Sequence, residues 1–194
     1  MILKIITLSK EHLPLVDTFS CVENSRLLEQ YTSKERRRII RHSQNMDSFI
    51  KTEAYSDQQK GLSSTHLFLD SETNKIAAYL SLCNDSIRLD LSERTALGYS
   101  YATIPALKIA RLAVATKYQH QGIGKLLVQF AAQAAMIMRK ISGIAFLTLD
   151  CYEHRLSFYE SLGFVKNTIQ PIVLPYDTPI SMRLEINSYL EEMI

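Results

Sequence analysis

The sequence predicts a mixed α/β fold, in which a sheet is flanked by helices. Strand-like and helical segments alternate along the chain, and apolar residues recur at helical spacing over residues 124–140. With 194 residues the chain is long enough for one domain with a sizeable core, so we expect a single domain over residues 1–194. Its 46% hydrophobic and 22% charged residues are typical of globular proteins and exclude disordered and fibrous classes.

The first half of the chain predicts a strand, a helical region and a meander. Met46, Phe49 and Ile50 share one face of a helix. The tight turn SETNK joins two strand-like runs, which we therefore expect to be antiparallel. The segments are a strand at 2–7, helical or irregular stretches at 11–16 and 24–31, a helix at 34–54, a turn at 61–64, and strands at 65–70 and 75–89.

The second half predicts strands that alternate with helices. Gly143 and Gly163 each stand where a helix is expected to end, the position that a glycine C-cap takes. The segments are a loop or short helix at 91–100, a strand at 105–115, a helix at 124–140, a strand at 144–150, a helix at 154–163, strands at 164–174 and 179–186, and a tail at 187–194.

Charge and cysteine content narrow the classes of function. A net charge of +2 is too small to indicate a nucleic-acid partner by itself, and no apolar run approaches the roughly 20 residues that span a bilayer. The first residues alternate like a strand and lack a small-residue cleavage site, so we expect a cytoplasmic protein without a membrane partner. Cys21, Cys83 and Cys151 form no C-x-x-C pair, which predicts buried or half-buried thiols and no metal site. Cys151 has a second interpretation, as a nucleophile, because it lies beside the motifs described below.

Two glycines stand where the strand at 105–115 gives way to the next helix. Gly122 and Gly124 each cost a helix about 1 kcal/mol relative to alanine. The first N–H groups of a helix have no intrahelical acceptor, and the helix dipole makes that end positive. Without a Cβ atom, these residues would let a phosphate approach the N–H groups closely, and Lys125 would add positive charge. A tight turn without a ligand is the alternative, and neither the Walker nor the dinucleotide-binding glycine pattern fits.

A more specific resemblance follows from two motifs. Gln119-His120-Gln121-Gly122-Ile123-Gly124 resembles the Q/R-x-x-G-x-G/A motif of the GCN5-related N-acetyltransferase (GNAT) family, and it follows an apolar strand as it does there. The run from Phe158-Tyr159 to Gly163-Phe164 resembles that family's F-Y-x-x-x-G-F signature. The resemblance covers residues 105–164. It implies a mostly antiparallel twisted sheet of about six to seven strands, with a V-shaped splay between parallel strands at 109–114 and 144–150.

The resemblance implies a co-substrate and a reaction. Acetyl-CoA would enter the splay and pass its acetyl group directly to a primary amine in a ternary complex. A main-chain N–H near Val114 would stabilise the oxyanion, and Tyr159 would protonate the departing thiolate, although its ring could instead only pack against the co-substrate. Tyr152 stands where relatives carry asparagine, as an unproven substitute. The implied acetyl-CoA contacts are Leu112, Ala113, Val114, Gln119, His120, Gln121, Gly122, Ile123, Gly124, Lys125 and Tyr152.

The general base is harder to name from the sequence. Many relatives carry a glutamate on the strand before the glycine motif, but no carboxylate lies between Pro105 and Gly124, and Arg111 flanks the strand core. A water chain or an already neutral amine would replace the base. His120 and His154 are nearby alternatives, each more typical of a surface residue.

The acceptor stays open at this level. The chain is similar to a subgroup of toxin acetyltransferases that modify the amino group of aminoacyl-tRNA. A run of basic residues between Lys34 and Arg41 offers a surface for tRNA. Such a run is more often a solvated helix face, so a small-molecule or protein amine is the broader expectation and tRNA the alternative. A non-catalytic CoA-binding module is a further alternative, favoured by the missing carboxylate and opposed by Tyr159. A homodimer is also expected, because many relatives dimerise. The basic run comprises Lys34, Arg36, Arg37, Arg38 and Arg41.

Overall fold

Strands and helices alternate in the computed structural model, which describes residues 2–23, 28–170 and 178–187. The strands are β1 Leu3–Thr7, β2 Ser64–Asp70, β3 Ile76–Arg88, β4 Thr103–Val114, β5 Phe146–Cys151, β6 Val165–Lys166 and β7 Ile180–Glu185. The helices are α1 Leu13–Val16, α2 Ser33–Thr52, α3 Ala54–Gln59, α4 Leu91–Leu97, α5 Ile123–Arg139 and α6 Leu156–Glu160.

The seven strands form one mixed sheet in the order β1-β2-β3-β4-β5-β7-β6. The β2–β3 turn joins an antiparallel pair, as the meander pattern predicted. Strands β4 and β5 run parallel, with α5 in the connection between them, because a parallel pair needs a long crossover. The prediction of a mixed, mostly antiparallel sheet flanked by helices is confirmed.

The parallel ladder between β4 and β5 is short. It pairs Ala106 with Phe146 and ends where Ile109 pairs with Leu149. Strand β4 nevertheless continues to Val114, and β5 stays paired with β7 as far as Cys151. The two strands therefore stop pairing where the resemblance places the splay.

Two compact units make up the described part of the chain. The first combines the described residues of 1–82 and 111–127. Tyr79 is fully buried at its core, with its ring edge-on to Phe19 at 5.3 Å and stacked on Phe49 of α2 at 6.3 Å. The Tyr79 hydroxyl donates to the carbonyl of Met46 (2.9 Å), which fastens α2 to β3.

The second unit combines the described residues of 83–110 and 128–194. Phe146, 1% exposed, lies in its core with Ile104 and Leu89. Arg183 pairs with Glu93 at 2.8 Å and donates to the Asn167 side chain, so charge as well as apolar contact ties α4 to β7. The prediction of a single domain over residues 1–194 stays a prediction.

Helix α4 resolves the loop-or-helix alternative at 91–100. The Asp90 side chain accepts from the Glu93 N–H at 2.8 Å, and Glu93 accepts from the Asp90 N–H in return. This capping box satisfies N–H groups that would otherwise lack an acceptor, and it starts the helix.

The predicted C-cap at Gly143 is wrong. Helix α5 ends at Arg139, and Ile141 and Ser142 close the chain back onto the Met138 carbonyl. Gly143 therefore lies beyond the helix end, and its φ is not positive. At the other predicted cap, Gly163 has the left-handed conformation with φ of 87°.

Three further segments differ from their predictions or lie partly outside the described residues. The helix predicted at 154–163 consists of a 3-10 turn, Glu153–Arg155, followed by α6. Of the strand predicted at 164–174, Val165–Lys166 is extended, whereas 171–174 lie outside the described residues. Residues 24–27 of the stretch at 24–31 and residues 188–194 of the tail also lie outside them.

Candidate functional site

The corner loop, which we define as residues 115–122, carries the chain from β4 into α5. It begins with a 3-10 turn, Thr116–Tyr118, and then passes through two left-handed residues, His120 with φ of 61° and Gly122 with φ of 80°. A Cβ atom added at Gly122 would meet nothing within 4 Å. The backbone conformation therefore requires glycine there, and the space beside it is open.

Consecutive N–H groups in this region have no acceptor. In the part of the chain that the structure describes, the Gln119 N–H donates to the Thr116 carbonyl and the Lys125 N–H to the Gly122 carbonyl, but the N–H groups of residues 120–124 have no hydrogen-bond acceptor. We call residues 120–124 the amide cradle. Because these N–H groups stand at the start of the 17-residue helix α5, its dipole adds positive potential, and the cradle suits a phosphate-like anion.

The side chains of Gln119, just before the cradle, and Gln121, within it, hold the corner loop in place. Gln119 donates from Nε2 to the carbonyls of Cys21 (2.9 Å) and Val114 (3.1 Å). Gln121 donates from Nε2 to the Lys117 carbonyl at 3.0 Å. These amides are occupied within the loop, so what residues 119–121 offer a ligand is mainly main chain. His120 and Lys125 are exposed.

The end of β4 presents main-chain groups as well. Ala113 is buried, and Leu112 and Val114 are half-buried. The Ala115 N–H donates to the Ala77 carbonyl on β3 at 2.8 Å. Since N–H directions alternate along a strand, the Val114 N–H faces the edge away from β3, where the ladder with β5 has already ended at Ile109.

Sequence reasoning missed Tyr118, which lies two residues before the cradle. Its ring is buried, and its hydroxyl donates to Asp70 Oδ2 at 2.8 Å. This hydrogen bond lowers the pKa of Asp70 to about 2, together with the hydrogen bonds from the Glu72 N–H and the Thr73 side chain. An aromatic residue inside an otherwise polar turn is the signal that the sequence offered.

Tyr159 lies on α6 in the second unit. Its ring is buried and meets the rings of Phe158 and Phe164 edge-on at 5.0 and 5.7 Å. Burial raises the pKa of the Tyr159 phenol well above its ordinary value, so the phenol carries its proton at physiological pH. That is the state that a proton donor requires.

Cys151 and Tyr152, at the end of β5 and directly after it, each had an open interpretation. Burial, and secondarily the charge of Asp150, raises the pKa of the Cys151 thiol to about 11. Because the thiolate is the nucleophile, this disfavours the nucleophile interpretation. Tyr152 stacks on the ring of His154 with the centroids 6.2 Å apart, so each of these rings has a packing role.

Two carboxylates outside residues 105–124, those of Asp150 and Asp85, were not among the residues that the sequence analysis named. Asp150 Oδ2 lies 2.6 Å from Lys108 Nζ, and Asp85 accepts from the Thr148 hydroxyl at 2.7 Å. Asp150 is therefore engaged in an ion pair with Lys108, and Asp85 in a hydrogen bond with Thr148. Arg111, a charged residue that the sequence placed on β4 in the absence of a carboxylate, packs locally. Its guanidinium lies 4.9 Å from the centre of the Phe49 ring, a cation–π contact.

Among the described residues, no group of three or more His, Cys, Asp and Glu side chains could hold a metal ion. Across the same residues, none of the helices has the length and apolar character to cross a membrane.

The mixed sheet and the open N–H groups at the start of α5 are the features to set against known families. Residues 63–166, more than half of the chain, match the model of the acetyltransferase (GNAT) domain family. The chain belongs to the GNAT acetyltransferase family, and it is an acetyl-CoA-dependent N-acetyltransferase with acetyl-CoA as co-substrate.

Solved structures share this fold along nearly the whole chain. A bacterial toxin superposes with a TM-score of 0.75 at 17% identity, covering 99% of this chain and 95% of the other. A tyrosine-to-phenylalanine mutant of KacT gives 0.73 at 17% identity, with both chains fully covered. AtaT complexed with acetyl-methionyl-tRNAfMet gives 0.68 at 18% identity, again with both chains fully covered.

Proposed function

We propose that the acceptor is the α-amino group of an aminoacyl-tRNA, in the manner of a toxin-type acetyltransferase. The observation that carries this proposal is a basic face on α2, formed by Lys34, Arg37, Arg38 and Arg41. These residues lie on one side of the helix, and Lys34, Arg37 and Arg41 are exposed. The full-length likeness to AtaT, which is complexed with an acetylated aminoacyl-tRNA, agrees with it.

The start of α2 keeps this face in a fixed place. The Thr32 hydroxyl accepts from the Glu35 N–H at 3.3 Å, and Glu35 accepts from the Thr32 N–H at 2.7 Å. Arg36 is used locally, because its Nε donates to the Tyr31 carbonyl at 2.9 Å. Lys34, Arg37, Arg38 and Arg41 recur at the three- and four-residue spacing that puts side chains on one side of a helix, and we propose that they contact the phosphates of a nucleic acid.

The missing carboxylate base supports the same acceptor. An α-amino group with a pKa near 7.8 is neutral in roughly one molecule in seven at pH 7. A lysine side chain with a pKa near 10.4 is neutral in only about four molecules in ten thousand. An enzyme without a dedicated base on β4 therefore suits an α-amino acceptor far better than a lysine acceptor.

Acetyl-CoA is proposed to lie with its diphosphate on the amide cradle and its pantetheine along the end of β4. The open N–H groups and the positive start of α5 support the first part, and the unpaired edge of Leu112–Val114 supports the second. Lys125 adds positive charge, and Gln119 and Gln121 hold the loop that carries these groups. Tyr152 is kept as a proposed contact, on the family resemblance alone.

The proposed transfer is direct. The neutral amine attacks the thioester carbonyl, and the Val114 N–H stabilises the oxyanion. As the C–S bond breaks, the thiolate takes a proton from the Tyr159 phenol, and the nitrogen loses its extra proton to water. The Tyr159 phenolate then regains a proton from water, which restores the acid. The cytoplasmic location and the homodimer stay predictions from the sequence.

Three acceptors offered in parallel would test this proposal. Purified protein is incubated with labelled acetyl-CoA and, separately, aminoacyl-tRNA, a free amino acid and a lysine-containing peptide. We expect label on the aminoacyl group of tRNA, at rates well above those of the other two acceptors. Preferential labelling of the peptide or the free amino acid would rule out tRNA as the acceptor.

A further inference from the structure

We propose that Tyr118 and Asp70 form a positioning pair that holds the amide cradle in the shape that binds a diphosphate. The inference rests on the proposed binding of acetyl-CoA at the cradle. Neither side chain touches the co-substrate in this proposal, since both act through the corner loop.

The pair joins the corner loop to the far end of the β2–β3 hairpin. Tyr118 ends the 3-10 turn and stands two residues before the cradle begins. Tyr118 and Asp70 are each 6% exposed. The Tyr118 hydroxyl donates to Asp70 Oδ2 at 2.8 Å. The ring is thus held by packing and its tip by a hydrogen bond to a charged acceptor, which is stronger than a neutral one.

Asp70 is itself held in place, so it provides a rigid acceptor. Its Oδ1 accepts from the Glu72 N–H at 3.0 Å, and its Oδ2 accepts from the Thr73 hydroxyl at 2.8 Å. The Asn74 N–H closes back onto the Asp70 carbonyl at 2.8 Å. The carboxylate therefore cannot rotate away from Tyr118 without breaking the turn.

Other bonds fix the start of the corner loop to a second segment. The Thr116 N–H donates to the Ser20 carbonyl at 2.9 Å, and its hydroxyl donates to the Val22 carbonyl at 2.7 Å. Gln119 reaches the Cys21 carbonyl. Tyr118 adds an anchor on the hairpin side, so the loop is held from two directions.

The cradle needs such anchors because its backbone is not in a relaxed state. His120 has φ of 61°, which costs a non-glycine residue free energy and persists only where the surroundings enforce it. If Tyr118 loosens, His120 can return to a common conformation, and the N–H groups then no longer point at one anion. Positioning of this kind strengthens binding by removing the cost of ordering the loop.

The test compares two ligands in the Tyr118→Phe variant, which loses only one hydroxyl. Calorimetry gives the affinity for CoA, and ligand-observed NMR gives the affinity for pantetheine, which lacks the diphosphate. We expect CoA to bind roughly tenfold more weakly while pantetheine binding is unchanged. Asp70→Asn, which keeps an acceptor oxygen for Tyr118, should show a smaller loss for CoA.

Tyr79→Phe is the matched control. It removes another buried tyrosine hydroxyl of the first unit, bonded to the Met46 carbonyl at 2.9 Å. We expect it to lower the melting temperature and to leave CoA affinity unchanged.

The outcomes separate this inference from the proposal on which it rests. If the wild-type protein binds CoA no better than pantetheine, the cradle does not hold a diphosphate, and the proposed site fails. If the wild-type protein prefers CoA and Tyr118→Phe keeps that preference, only the positioning pair is wrong. An equal loss of affinity for both ligands would make Tyr118 merely structural and overturn the inference as well.

Discussion

Gly122 shows how one residue can meet two requirements. Its φ of 80° demands glycine for conformational reasons, as a tight turn without a ligand would. The open space beside it and the N–H groups around it are what an anion site needs. The two interpretations of the glycine pattern are therefore compatible, and they differ in what a substitution does to ligand affinity.

Gly122→Ala should separate conformation from binding. Alanine in the left-handed region destabilises the fold by about 1 kcal/mol, and its Cβ would occupy the space proposed for the diphosphate. Gly61→Ala is the control, because Gly61 has φ of 71° and equally open surroundings in the same unit. We expect similar losses of unfolding free energy in chemical denaturation, but reduced CoA affinity by calorimetry only in Gly122→Ala. Equal CoA affinities in the two variants would contradict the cradle.

Tyr159→Phe tests the proton donor. Loss of a general acid lowers kcat by about 10²- to 10⁴-fold, whereas loss of a packing contact would mainly raise KM for acetyl-CoA. We expect the fall in kcat with KM for acetyl-CoA little changed, measured as release of free CoA thiol with the active acceptor. Since burial raises the pKa of this phenol above its ordinary value of 10.0, the wild-type acid should not be lost by deprotonation below about pH 10. An unchanged kcat would leave Tyr159 with its packing role.

At the scale of elements, local patterns were readable from the sequence and long-range pairs were not. Alternation predicted the meander, and helical spacing predicted α5, because both signals lie within one segment. The Asp90 and Glu93 capping box was also present in the sequence and would have decided for α4. The prediction of a C-cap at Gly143 failed because α5 ends at Arg139, before it reaches the glycine. The bond between Tyr118 and Asp70 joins residues 48 apart, and no periodicity records such a contact.

Helix α2 is the element on which the proposed acceptor depends. Arg37→Glu with Arg41→Glu reverses two charges on its basic face and should weaken aminoacyl-tRNA binding at constant CoA affinity. If both arginines contact phosphates, the slope of log affinity against log salt concentration should fall in magnitude by roughly 1.5. Filter binding over a salt series would measure this slope.

Lys51→Glu is the control for this charge reversal, with half its change in net charge. Lys51 is exposed in the last turn of the same helix, at the end opposite the basic face. It should leave the salt slope nearly unchanged. An effect on the slope half as large as that of the double change would indicate that net charge, rather than this face, attracts tRNA.

For the whole molecule, the net charge of +2 does not reveal the local cluster of basic residues on α2. The 22 basic and 20 acidic residues nearly cancel, so the net charge by itself did not indicate a nucleic-acid partner. In the fold, however, basic side chains lie together on one side of α2. Strand β4 carries no carboxylate that could act as the general base. Composition averages over the surface, whereas a binding face depends on which residues share one side of an element.

Expression in bacteria tests whether the parts act together as a toxin. Acetylation turns the α-amino group of an aminoacyl-tRNA into an amide, whose nitrogen lone pair is delocalised and no longer attacks the growing peptide. We therefore expect induction of the wild-type chain to arrest growth and N-acetylated aminoacyl-tRNA to accumulate, as mass spectrometry of the released aminoacyl group would show. Tyr159→Phe should relieve the arrest at equal protein levels, since transfer needs the proton donor. Arrest that persists in Tyr159→Phe without acetylated tRNA would come from some other property of the chain, and normal growth with unmodified tRNA in the wild type would exclude the aminoacyl-tRNA acceptor.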